Sequence, residues 1–118
     1  MQDNQLVTLS KTFAIAVIKL NNDIKSRGKN NPVISQLLRS GTSIGANIHE
    51  ANYAASRADF INKLQIALKE CYETDYWLDI FTQTEIIEQP EYDNLFAQCS
   101  KIRKLLIASI TTAKANDK

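Results

Sequence analysis

Hydrophobic residues recur at steps of three and four along most of the chain, which is the spacing of one face of an α-helix. The first such stripe consists of Leu6, Leu9, Phe13, Val17, Leu20 and Ile24. It predicts a helix over residues 4–27, and Gly28 with the polar residues after it predicts where this helix ends. No segment alternates with the period of two that is typical of half-buried strands. The pattern therefore predicts an all-α protein.

Three further helices are predicted from residues that favour helix starts. The second helix opens with Asn31 as N-cap and Pro32 in the first helical position, where the missing N–H group does no harm. The third begins near Ser56, whose spacing to Asp59 resembles a capping box. The fourth opens at Pro90, again because proline suits the first turn of a helix.

The whole chain is predicted to form one domain, residues 1–118. It contains only three glycines and two prolines, so it has few turns and is predicted to consist of a few long elements. Four long helices with short connections predict an up-down-up-down antiparallel four-helix bundle.

The stretch from Arg39 to Ala51 is unusual for the interior of a helix. It contains two glycines, each of which costs about 1 kcal/mol relative to alanine in that position. Small side chains allow a second helix to approach closely, and hydroxyl or amide groups can form hydrogen bonds across such a contact. The stretch therefore predicts a tight helix or subunit contact, and an ordinary solvated face is the alternative. The contact residues would be Arg39, Ser40, Gly41, Ser43, Gly45, Asn47 and Glu50.

Charge is distributed unevenly, although the net charge is only +1. Residues 1–31 carry a net charge of +3, residues 57–89 carry −4 and residues 90–118 carry +2. The first and last helices are neighbours in an up-down bundle, so their basic side chains are predicted to form one surface that binds RNA or DNA. A solvated charged surface is the alternative. The basic residues are Lys11, Lys19, Lys25, Arg27, Lys101, Arg103 and Lys104.

No combination of residues indicates catalysis. His49 and Glu50 begin like the zinc-protease helix motif, but Tyr53 stands where the second histidine is required. The single histidine excludes a histidine-rich metal site. The sequence also contains no phosphate-binding loop motif and nothing that resembles a catalytic triad, so we expect no metal, no cofactor and no enzymatic activity. Cys71 and Cys99 fall on apolar positions of separate helices, which favours buried free thiols over a disulfide.

The predicted third helix has more apolar surface than one bundle core uses. Beside its core stripe, a second stripe consists of Ile66, Tyr76, Trp77 and Ile80. Exposed apolar surface of this kind usually marks an interface, so we expect a homo-oligomer. No apolar run is long enough for a membrane span and no signal peptide precedes the first helix, so the expected location is the cytoplasm.

Several segments of the predicted second and third helices resemble a known family. They read LRSGTSIGANIHEA at residues 38–51, DFI at 59–61, ALKE at 67–70, ET at 73–74 and YWL at 76–78. This pattern resembles the four-helix-bundle family of 23S rRNA-intervening-sequence proteins, although many members have glycine where this chain has Ala51. The resemblance implies a left-handed bundle and a homopentamer. A related group includes the accessory protein of diversity-generating retroelements, which binds nucleic acid.

The sequence therefore predicts a non-enzymatic, oligomeric helical bundle that serves as an accessory protein and binds RNA, another nucleic acid or a protein partner. One alternative is a purely structural module that assembles with other proteins. An alternative of a different class is a small enzyme with a carboxylate or thiol site inside the bundle.

Overall fold

The structure is a computed structural model that describes residues 4–29 and 31–116. Four α-helices contain most of these residues: α1 (Asn4–Ser26), α2 (Ile34–Ala51), α3 (Arg57–Gln83) and α4 (Gln89–Ala115). The described residues include no β-strand. The prediction of an all-α fold is therefore confirmed.

The four helices pack side by side into a rod of 52 × 21 × 20 Å. α2 contacts α1 and α3, α4 contacts α3, and α1 contacts α4, so each helix has two neighbours. The apolar stripes meet in one core, whose largest fully buried side chains include Phe13, Phe81, Leu6, Ile24, Ile44 and Ile48. This is the packing of a four-helix bundle. Its up-down-up-down order and left-handed sense remain predictions.

The connection between α1 and α2 begins as predicted, but α2 starts later than Pro32. Gly28 has a φ of +77°, the left-handed conformation in which a helix commonly ends. Asn31 Oδ1 accepts a hydrogen bond of 3.0 Å from the N–H group of Val33. The N-cap residue of α2 is Val33, without a side-chain cap bond, so the prediction of Asn31 as N-cap is wrong. The N–H group of Ile34 then bonds to the carbonyl oxygen of Asn31, three residues earlier, at 3.0 Å. This bond spans three residues, as in a 3₁₀ turn, rather than the four residues of an α-helix. The α-helix therefore begins only at Ile34.

The start of α3 confirms the predicted cap. The N–H group of Asp59 donates to Ser56 Oγ at 3.1 Å, and Asp59 Oδ2 accepts from the N–H group of Ala55 at 3.2 Å. Two N–H groups near the start of the helix are thereby satisfied, and the chain turns directly from α2 into α3.

Residues 84–88 connect α3 to α4 and are anchored in the core. Ile86 and Ile87 are buried, and Glu85 before them adopts a left-handed φ of +61°. The N–H group of Glu88 donates to the side chain of Glu91 at 2.9 Å, and Pro90 lies in the first turn of α4. The helix thus opens at Gln89, one residue before the predicted proline.

Candidate nucleic-acid surface and central helix contact

The two glycines of the central stretch face α1. A Cβ atom at Gly41 would lie 3.0 Å from Cγ2 of Val17, and one at Gly45 would lie 3.3 Å from the backbone carbonyl oxygen of Ser10. Both distances are shorter than ordinary van der Waals contact, and the second is to backbone, which cannot rotate away as a side chain can. The absence of side chains at these two positions therefore allows α1 and α2 to pack at their observed separation.

Ser40, beside Gly41, forms a hydrogen bond to α3 instead. Its Oγ accepts a bond of 3.1 Å from Thr74 Oγ1 and donates to the carbonyl oxygen of Leu37 at 3.4 Å. Ser40 and Thr74 are both fully buried. Because each hydroxyl has a partner, the pair joins α2 to α3 inside the core without leaving an unsatisfied polar group.

Arg39 continues this contact at the surface of the bundle. Its guanidinium hydrogen-bonds Glu73 and lies 3.3 Å from Oε1 of Glu70, while Trp77 Nε1 donates to Glu73 at 3.0 Å. The bond from Arg39, and then the bond from Trp77, lower the pKa of the Glu73 carboxyl, and Glu73 in turn raises the pKa of Arg39. The Arg39 side chain is 46% exposed, so water screens these ion pairs.

The other polar residues of the stretch form hydrogen bonds within α2 or an ion pair at the surface. Ser43 Oγ donates to the carbonyl oxygen of Arg39 at 2.7 Å, and Asn47 Nδ2 donates to that of Ser43 at 2.9 Å, so both bonds stay within α2. Glu50 is exposed and forms an ion pair of 3.1 Å with Lys63 of α3. Ser43 and Asn47 are half-buried, and their role in a subunit contact remains a prediction.

Arg27, one of the seven residues predicted to bind nucleic acid, forms ion pairs with two carboxylates. It hydrogen-bonds Asp23 of its own helix and lies 2.8 Å from Glu91 of α4. At the opposite end of these helices, Leu6 and Ala113 line the same cleft. Both contacts are those expected of the antiparallel arrangement predicted for α1 and α4.

Arg103, another of the seven, is directed toward α3 rather than α1. Its guanidinium lies 3.3 Å from Asp75 and 5.8 Å from the ring centre of Tyr72. The side chain is 19% exposed. Arg103 thus belongs to the contact between α3 and α4.

The remaining five predicted residues are exposed, and none of them forms an ion pair with another described residue. They are Lys11, Lys19, Lys25, Lys101 and Lys104. Successive helical residues are rotated by about 100°, so Lys19 lies about 80° around α1 from Arg27, whose side chain reaches α4. Lys11 and Lys25 each lie about 160° from Arg27, on the flank away from α4.

On α4, the residue that marks the side facing α1 is Glu91. Viewed down the axis of α4, Lys101 and Lys104 are rotated by about 80° and 140° from Glu91 in one direction. Arg103 is rotated by about 120° in the other direction. Along the helix axes, Lys19 lies about 12 Å from Arg27 and Lys101 about 15 Å from Glu91. In the antiparallel arrangement predicted for the two helices, Lys19 and Lys101 therefore lie at similar heights. We refer to Lys19, Lys101 and Lys104 as the outer lysines.

The contact between α3 and α4 holds a buried polar cluster that was not predicted. Cys71 and Cys99 are free, fully buried thiols, which confirms the prediction made for them, and Cys99 Sγ donates to the carbonyl oxygen of Cys71 at 3.7 Å. Asp75 lies one helical turn after Cys71. Its Oδ1 is the one buried side-chain nitrogen or oxygen without a hydrogen-bond partner among the described residues. The i,i+4 spacing of Cys71 and Asp75 on α3, matched by Cys99 and Arg103 on α4, is the sequence signal that points to this cluster.

The surroundings of this cluster shift two pKa values. Burial raises the pKa of Asp75, while the positive charge of Arg103 and the neighbouring Cys99 thiol act in the opposite direction. The pKa of the Cys99 thiol is raised by its hydrogen bond with Cys71 and by burial. The protonated thiol is therefore strongly favoured at Cys99.

A cleft of about 960 Å³ opens at the end of the bundle where α1 begins and α4 ends. Small and apolar residues form most of its lining, and Arg57 is the one charged residue among those described there. Among the described residues, no group of three or more His, Cys, Asp or Glu is arranged to hold a metal ion. No helix in the described part of the chain is long and apolar enough to cross a membrane.

These features define an all-α bundle in which α2 packs on α1 through glycines and hydrogen-bonds to α3 through a buried serine. A similar fold occurs in the crystal structure of a protein with unknown function from the S23 ribosomal protein family of Bacteroides thetaiotaomicron, with a TM-score of 0.90. The two sequences are 47% identical over 94% of this chain and 99% of that chain. Residues 2–108 match the 23S rRNA-intervening sequence protein family, and the chain belongs to this family. None of the curated proteins compared with the chain matches it.

Proposed function

We propose that the protein is a non-enzymatic, homo-oligomeric accessory protein that binds nucleic acid, RNA in particular, through the outer lysines of α1 and α4. The observation that carries this proposal is the exposure of Lys19, Lys101 and Lys104 on neighbouring helices, without a carboxylate partner among the described residues. The family name, which refers to an intervening sequence of 23S rRNA, supports RNA as the partner.

Exposed lysines without ion pairs suit phosphate binding because no existing contact has to be broken. Arg27 and Arg103, by contrast, would have to give up Glu91 and Asp75 to engage a phosphate. Each neutralised phosphate releases counterions, so binding by a few lysines is weak and falls steeply as salt rises. Phosphate contacts carry no base information, so we expect little sequence preference.

Assembly of several copies would strengthen such binding. A homo-oligomer repeats the outer lysines, and linked weak sites gain affinity through avidity. Tyr72 and Tyr76 of α3 are 54% and 57% exposed and provide surface for assembly, because tyrosine is enriched in protein interfaces. Five copies are proposed from the family resemblance alone. Light scattering after gel filtration should give a mass well above one chain, and a stable monomer at micromolar concentration would contradict the proposed assembly.

The same exposed tyrosines favour a second candidate function, a structural module that assembles with a protein partner. Such a module would show the same mass in solution but would not bind nucleic acid. The titration described next therefore separates the two candidates.

The test is titration of RNA and DNA at low and at physiological salt with the wild type and with Lys101→Glu/Lys104→Glu. We expect binding at low salt, loss of affinity as salt rises, and loss of most low-salt binding in this variant. The matched control is Lys11→Glu/Lys25→Glu, which changes the net charge equally but on the flank of α1 away from α4. We expect this control to retain more binding.

Two results would contradict the nucleic-acid role. The first is no binding of the wild type at low salt, which would leave the protein-partner role. The second is an equal loss in both double variants, which would indicate attraction by overall charge rather than by the outer lysines.

A further inference from the structure

We propose that Cys71 and Cys99 form a redox pair, which a peroxide oxidises to a disulfide that joins α3 to α4. The inference is independent of the proposed nucleic-acid function. It rests on the placement of the only two cysteines of the chain against each other in the core.

The geometry brings the two residues to the same height on neighbouring helices. Cys99 Sγ lies 3.7 Å from the carbonyl oxygen of Cys71, and both side chains are fully buried between α3 and α4. Helices packed about 8–10 Å apart bring facing Cα atoms close to the separation of about 5.5–6 Å that a disulfide spans. With no third cysteine in the chain, a disulfide within one molecule has one possible pairing.

The reaction is a balanced two-electron oxidation. One sulfur, as the thiolate, attacks hydrogen peroxide and becomes a sulfenic acid, and the released hydroxide takes up the thiol proton to form water. The second thiol displaces the sulfenic oxygen, which leaves as a second water molecule, and the sulfur–sulfur bond forms. Two thiols and one hydrogen peroxide thus give one disulfide and two molecules of water.

The surroundings of the pair make this reaction slow in the folded protein. Burial restricts access, and the hydrogen bond to Cys71 together with burial raises the pKa of Cys99, so little thiolate is present there. Asp75, beside the pair, adds a negative charge that disfavours a thiolate further. We therefore expect oxidation under excess peroxide rather than in air, and reversal by a dithiol reductant.

The experiment is treatment of the full-length protein with hydrogen peroxide, followed by intact-mass measurement and alkylation of thiols after unfolding. The wild type should lose the mass of two hydrogen atoms and both alkylatable thiols, and dithiothreitol should restore them. Its melting temperature should rise on oxidation because the cross-link restrains the unfolded chain.

The controls are Cys71→Ser and Cys99→Ser, with Cys71→Ala and Cys99→Ala if the serine variants fail to fold. Each single variant should gain oxygen at its remaining thiol instead of losing hydrogen. The proposal is overturned if the wild type also gains oxygen without losing hydrogen. It is equally overturned if both thiols stay alkylatable after prolonged excess peroxide, or if disulfides form only between separate chains.

Discussion

The two sides of α2 show two different ways of holding helices together. On the side facing α1, Gly41 and Gly45 leave room for Val17 and for the backbone at Ser10. On the side facing α3, Ser40 forms a buried hydrogen bond with Thr74. One short stretch of small residues therefore provides close approach on one side and polar attachment on the other.

This difference shows that the small size and the polarity of the side chains in the stretch serve separate purposes. Opposite Gly45, Ser10 donates its hydroxyl to the carbonyl oxygen of Val7 in its own helix. Gly45 thus contributes to the contact with α1 through its small size, which lets the backbone of α1 approach closely. Against α3, the hydroxyl of Ser40 matters because Thr74 would otherwise be buried without this partner.

The largest effect is expected from filling the contact with α1. Gly45→Leu places a side chain against the backbone of Ser10 and should destabilise the protein by roughly 1–3 kcal/mol or more through overpacking. Thermal or denaturant unfolding measures the change. Ala46→Leu, at the exposed neighbouring position, is the matched control and should change stability little. A melting temperature raised by Gly45→Leu would show that the glycine is not confined.

A smaller effect is expected from removing the bond to α3. Thr74→Val keeps the side-chain shape but removes the donor to Ser40, which should cost about 1–2 kcal/mol. The double variant with Ser40→Ala removes both polar partners, so its loss should be less than the sum of the two single losses. Denaturant unfolding of all four proteins completes the cycle. Strictly additive losses would mean that the two hydroxyls do not interact.

The smallest effect is expected at the surface, where Arg39 meets Glu73. Glu73→Gln should cost less than about 1 kcal/mol because the carboxylate side chain is 37% exposed. Since the pKa of Glu73 is lowered in the folded state, its contribution is present above its ordinary pKa of about 4.3 and is lost as the pH falls through the folded value.

The stability of the wild type should therefore approach that of Glu73→Gln under strongly acidic conditions. Unfolding measured from neutral to acidic pH tests this expectation. The control is Glu50→Gln, because the Glu50 side chain pairs with Lys63 and is more exposed than that of Glu73. A constant difference between the wild type and Glu73→Gln at all pH values would contradict a role for the carboxylate charge.

The sequence alone determined the helices, most of the core and one cap. Apolar spacing identified the core stripe of α1 from Leu6 to Ile24, and Ser56 with Asp59 marked the start of α3. These features depend on residues within a few positions of each other, so local patterns record them. The family resemblance came from short segments between residues 38 and 78 and is confirmed by the match over residues 2–108.

The tertiary structure decided which side of each helix meets which neighbour. Periodicity placed the glycines and Ser40 on one helix, but only the packed bundle assigns the glycines to α1 and the serine to α3. In the same way, composition grouped Arg103 with the lysines of α4, whereas its contact with Asp75 assigns it to the opposite flank. The physical reason is that these partners lie far apart in the chain, and their contact depends on how whole helices are rotated against each other. Spacing within one helix does not determine that rotation.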